Sequence, residues 1–101
     1  MTGPKRMELL TWQRVDKGVV VGRASVRLPI GLEIADITVF QKDGRTWAGM
    51  PAEPVRDRDG QIMKDDRGKA RYRTNIKWET RELADRFGEA LVALIEAEHG
   101  L

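Results

Sequence analysis

Between residues 20 and 28 the side chains divide by parity. Val20, Gly22, Ala24, Val26 and Leu28 fall on one face, and Val21, Arg23, Ser25 and Arg27 on the other. That is the period of a strand with one side against a core. Around it lie "MELLTWQRV" (7–15), "LEIADITVF" (32–40) and "RTWAGMP" (45–51), all rich in β-branched or aromatic residues. The separating segments, "DKG", "PIG" and "DG", each hold a residue of fixed or positive φ. Four short strands joined this way predict an antiparallel meander. Pro51 cannot donate to a ladder, so it should end the fourth strand. The third strand changes parity, with Leu32 and Ile34 on one face and Ile37 and Val39 on the other. A bulge near Ala35–Asp36 would return both pairs to the core.

The second half opens with a charged excursion, residues 52 to 70, with turn signals at Asp59–Gly60 and Arg67–Gly68. "ARYRTNIKW" (70–78) then alternates again. Tyr72, Thr74, Ile76 and Trp78 share one face, and Arg71, Arg73, Asn75 and Lys77 the other, which predicts a fifth strand in the same sheet. In the final segment Leu83, Phe87, Ala90, Leu91, Leu94 and Ile95 recur at helical spacing. Thr80 suits its N-cap, Glu82 its first turn and Gly100 its stop. Gly88 costs this helix about 1 kcal/mol relative to Ala, so a close packing contact is expected there. No internal repeat is read. The expectation is one α+β domain over residues 1–101: an antiparallel sheet of about five strands, a C-terminal amphipathic helix on one face, and a charged hairpin arm at about 52–70.

Composition narrows the function. A chain of 101 residues buries roughly 65% of its unfolded surface, enough for one thin core. No apolar window reaches membrane-spanning length, the first residues lack the character of a secretory signal, and cysteine is absent. These features fit a cytoplasmic protein away from the membrane. The net charge of +2 conceals a segregation. Residues 1–31 carry six Lys/Arg against two Asp/Glu, residues 52–77 eight against five, and residues 78–101 two against six.

Catalysis finds little support in these residues. "DRDGQIMKDD" has its glycine misplaced for a calcium loop and no closing glutamate. His99 is the only histidine, Ser25 has no base near it, and no glycine-rich phosphate loop is present. No metal site, cofactor or enzyme activity is expected. The basic residues are more informative. With the second and fifth strands in one sheet, Arg23, Arg27, Arg71, Arg73 and Lys77 would project from the uncovered face. Between residues 67 and 77 there are five basic residues and no acidic one. Forked guanidinium donors suit phosphate oxygens, and rows of them bind nucleic acid through counterion release. An exposed strand face also carries Arg and Lys simply to deter aggregation. Trp12 and Trp47 could stack bases if exposed and fill the core otherwise.

From Gly22 to Gly60 the order of small pieces resembles the SpoVG family (stage V sporulation protein G, or septation regulator). The resemblance rests on Ala24, Val26 and Leu28, then Leu32 and Ile34, then Asp36, Ile37 and Val39. Gly44, Trp47, "GMP" at 49–51 and Asp59–Gly60 complete it. "AEP" after Met50–Pro51 departs from the family pattern. The resemblance implies a small sheet with a C-terminal helix, a homodimer formed through the sheet, and nucleic-acid binding in bacterial regulation. On this reading Arg23, Arg27, Arg67, Lys69, Arg71, Arg73 and Lys77 contact phosphates of DNA or RNA. The alternative is a protein-interaction module using a sheet edge or the acidic helix face of Glu82, Asp85, Glu89 and Glu96.

Overall fold

The computed structural model describes residues 6–101. Lys5 and the other leading residues, which belong to the basic front segment and to the stretch without signal character, lie outside the described residues. Four strands, β1 (Glu8–Lys17), β2 (Val20–Arg27), β3 (Glu33–Lys42) and β4 (Arg45–Gly49), form the expected antiparallel meander in the order β1-β2-β3-β4. The helix α1 (Arg81–His99) covers one face. The fold is α+β.

The parity change in β3 is resolved by a bulge. Ala24 pairs with Ile37 and Val26 with Ile34, so β3 spends one residue more than β2 across this interval. The extra residue is accommodated where Asp36 takes φ 58°, a left-handed backbone that Asp tolerates better than most residues. Ile34, Ile37 and Val39 are thereby all buried. Leu32 is not, because β3 begins only after it, and it stays exposed beside the β2–β3 turn. A second irregularity corrects the reading of β2. Val20 faces Phe40 and Gly22 faces Val39, which makes Val21 the extra residue. Val21 is buried, and Val20 lies across from Phe40 on the face away from the helix.

The core is as thin as the composition implies: Ala24, Val26, Ile34, Ile37 and Val39 from the sheet against Phe87, Leu91 and Ile95 from α1. Each large side chain buried here contributes about 1.5–3 kcal/mol. Thr80 caps α1, its hydroxyl accepting from the Leu83 N–H at 3.1 Å, and Gly100 ends it at φ 75°. Leu83 and Ala90 lie on the exposed side, so the buried stripe is narrower than the periodicity predicts. Gly88 makes no close contact: a Cβ there would meet its nearest neighbour, the Ala48 nitrogen, at 4.0 Å. The tight glycine is Gly22. A Cβ on it would lie 2.5 Å from the Gln13 carbonyl oxygen and 2.6 Å from the Trp12 ring.

The predicted fifth strand is the main correction. Only Tyr72–Thr74 form a strand, β6, and it pairs with β5 (Ala52–Pro54) in a separate two-stranded sheet. Alternation assigns faces to a strand but does not choose its partner. Ile76 and Trp78, beyond β6, still reach the core and pack against it, Trp78 tilted on Phe87 at 5.0 Å.

The arm contains a repeat that the sequence reading missed. "DRDG" and "DDRG" recur eight residues apart, at 57–60 and 65–68. In each, the aspartate Oδ1 accepts two backbone N–H groups: Asp57 from Asp59 and Gln61, at 2.9 and 3.0 Å, and Asp65 from Arg67 and Lys69, at the same distances. In each, the glycine takes φ 79° and donates back to the aspartate carbonyl. The three chain segments joined by these turns close on themselves. Val55 N–H donates to the Arg71 carbonyl at 2.8 Å, Met63 N–H to Val55 at 2.8 Å, and Arg71 N–H to Met63 at 2.9 Å. The result is a closed ring of three backbone hydrogen bonds, its residues eight positions apart.

Candidate functional site

The face of the sheet opposite α1 is uncovered by any element of its own layer. Cross-strand pairing places Thr11 with Ser25, Gln13 with Arg23, Arg23 with Thr38, Val20 with Phe40, and Phe40 with Trp47. This surface is therefore polar towards β1 and aromatic towards β4. Phe40 and Trp47 stack with centroids 5.5 Å apart and planes 18° from parallel. The Arg45 guanidinium sits 5.9 Å from the Trp47 ring centroid, within cation–π reach. Gly49 permits the arrangement, since a Cβ there would meet the Phe40 ring at 2.9 Å. Trp47 remains 39% exposed, so its ring is available to a ligand. Trp12 is instead partly buried and packs against the core over Gly22.

The basic residues singled out from sequence are not gathered into one row. Arg23 lies on the open face, among the described residues without an ion pair within 4.0 Å. Arg27 shares that face but is held by Glu8 and Glu33, each at 3.2 Å. Arg73 is on β6 and pairs with Glu53 at 3.3 Å. Arg67 and Lys69 occupy the second arm turn, and Arg71 belongs to the backbone ring. Lys77 lies at an apolar cleft bounded by Leu28, Ile30, Met50 and Trp78. The cause is the topology: with β6 outside the main sheet, Arg73 and the preceding Arg71 do not line up with the arginines of β2. What the sequence reading missed is the pairing of Phe40 with Trp47, beside Arg45. The signal was present, because "VFQKDGRTW" is a hairpin whose turn at Asp43–Gly44 sets those two aromatics opposite each other.

Two hollows flank this face. One, of about 650 Å³, lies between the open sheet face and the arm, with Arg23, Asp36, Thr38, Phe40 and Tyr72 among its walls. The other, of about 480 Å³, runs between β4 and α1 and is bordered by Ala48, Ala84 and Gly88, with Arg81, Asp85 and Glu89 around them. The acidic helix residues are partly engaged within α1, Glu82 with Arg86 at 3.1 Å and Asp85 with Arg81 at 4.0 Å. Among the described residues no group of three or more acidic or histidine side chains is arranged to hold a metal ion. Among these residues no helix is long and apolar enough to cross a membrane.

No protein-family model, curated protein or solved structure matches this chain.

Proposed function

We propose that the chain is a SpoVG-like, non-catalytic regulatory protein that binds nucleic acid as a homodimer. The observation that carries the reading is the Phe40–Trp47 stack on an uncovered sheet face, with Arg45 against it and Arg23 beyond. Aromatic faces on a sheet accept unstacked bases, and neighbouring guanidinium groups take the phosphates. Single-stranded DNA or RNA suits such a surface better than a duplex, whose bases are already stacked. Arg67, Lys69, Arg71 and Lys77 supply the phosphate contacts, and Arg23 faces the bound strand from the open sheet face. Arg27 and Arg73 supply less, because each must first leave a carboxylate partner.

The dimer forms through the β4 edge. The opposite edge strand, β1, pairs with β2 through two register shifts, which discourages strand addition. β4 pairs with β3 without any, and small residues on α1 leave room beside it. Two copies joined there would set their aromatic pairs side by side on one continuous face. A monomer in light scattering at micromolar concentration would remove this part of the proposal.

The decisive measurement is binding of labelled single- and double-stranded oligonucleotides across a salt series. The expected result is tighter binding of single strands, with log K falling linearly as log salt rises. Trp47→Ala should weaken single-strand binding by about 1–3 kcal/mol, the value of one base stack. No binding at low salt, or affinity indifferent to salt, would overturn the reading. The groove along β4 favours one competitor, a module that takes a partner's strand at this edge. Activity that survives charge reversal at Arg71 and Arg73 but not at Asp85 and Glu89 would select it.

A further inference from the structure

We infer that the hollow between the open sheet face and the arm holds one unstacked guanine base of a single strand, read by Arg23 and Asp36. The inference rests on the nucleic-acid reading above and adds to it a base preference.

Three features of the hollow lead there. First, its volume of about 650 Å³ is bounded by two aromatic side chains from different elements, Phe40 of β3 and Tyr72 of β6. Tyr72 is 64% exposed although it belongs to a paired strand. A flat heterocycle is the ligand that such walls suit, because every base presents a π-face to an aromatic ring.

Second, the hollow contains one charge of each sign that do not neutralise one another. Arg23 and Asp36 both line it, and no ion pair within 4.0 Å joins them or ties either to another described residue. Arg27, four residues along the same strand, shows the contrast, since its guanidinium is held by two carboxylates. Guanine carries the complementary pattern. Its O6 and N7 accept from an arginine fork, and its N1–H and exocyclic N2–H groups can donate together to a carboxylate. Adenine places an acceptor at N1, where it would face the carboxylate unfavourably. Cytosine and thymine each lack the paired donors.

Third, Asp36 stands at the β3 bulge with φ 58°. Bulges re-aim side chains and recur beside binding sites. Here the bulge returns Ile34 and Ile37 to the core and leaves Asp36 at the hollow on the opposite side.

The test uses the full chain and labelled thymidine oligonucleotides carrying one central guanine, adenine, cytosine or hypoxanthine, compared by fluorescence anisotropy at fixed salt. Guanine should bind about tenfold more tightly than adenine or cytosine. Hypoxanthine, which lacks the N2 amine, should fall between. Asp36→Asn preserves the left-handed position, because Asn also tolerates it, and should bring the ratio of guanine-centred to adenine-centred affinity close to one within that variant. Equal affinity for the four centres, or a guanine preference that persists in D36N, overturns the base assignment alone. Failure to bind any oligonucleotide overturns it together with the nucleic-acid reading.

Discussion

The helix-backed meander and the arm hold themselves together by opposite means. In the meander, eight buried apolar residues from β2, β3 and the helix form one cluster. In the arm, Ile62, Met63 and Tyr72 are exposed, and order comes from backbone hydrogen bonds and two aspartate-capped turns. The first arrangement is cooperative, because each side chain supports several others. The second rests on the backbone: each turn satisfies its own amides, and the ring joins the three segments. The two meet at the hollow, where the packed sheet carries Phe40 and the strand that follows the arm carries Tyr72.

The contrast is broken most directly at the core. Leu91 is fully buried between helix and sheet. Leu91→Ala should lose about 2–5 kcal/mol of stability, a large part of what a small domain has. Urea unfolding followed by helical circular dichroism measures this. A loss under about 1 kcal/mol would mean that the helix does not clamp the sheet.

That core was largely legible in the sequence, and the reasons are physical. Burial on one side enforces a period, so the strands, the helix and the Asp36 bulge follow from where apolar residues fall. Val21 escaped because a bulged residue and a surface residue share the same parity. The arm was less legible because nothing in it is sorted by burial. Its eight-residue recurrence lies in aspartate and glycine, which read as ordinary turn residues when taken singly. The candidate site was legible in part. Arg23 was placed correctly on the open face, but Arg71, Arg73 and Lys77 were assigned to a strand of a sheet that their segment does not join. Non-local pairing decides such an assignment, and no local pattern encodes it.

Glycine substitutions sharpen the comparison at intermediate size. Gly22→Ala sets a methyl group 2.5 Å from the Gln13 carbonyl and 2.6 Å from the Trp12 ring. The carbonyl belongs to a paired strand and cannot yield cheaply, so a loss of about 1–3 kcal/mol is expected. Gly88→Ala is the control. Its nearest neighbour is 4.0 Å away, and Ala is the better helix former by about 1 kcal/mol. Thermal melts should therefore move in opposite directions. A stabilised Gly22→Ala protein would show that Trp12 does not lie over β2.

The smallest global effect, and the most specific local one, belongs to the arm. Asp57 and Asp65 each accept two backbone N–H groups across a turn. Replacing either with Ala removes a partner from exposed amides that water can also satisfy, so global stability should change by only about 0.5 kcal/mol. Hydrogen exchange should report far more. Turns that are independent would let Asp57→Ala speed exchange at Asp59 and Gln61 alone. The ring links Val55, Met63 and Arg71 in a cycle: Met63 and Arg71 each donate to the preceding segment's carbonyl, and Val55 closes it by donating to Arg71. Loosening one turn frees one segment, and the other two then lose a donor and an acceptor between them. Exchange should therefore accelerate at the Val55, Met63 and Arg71 amides together, in either single variant, while the buried strand amides beside Ile37 and Val39 stay protected. Acceleration confined to the mutated turn would show that the arm is two separate hairpins rather than one closed unit.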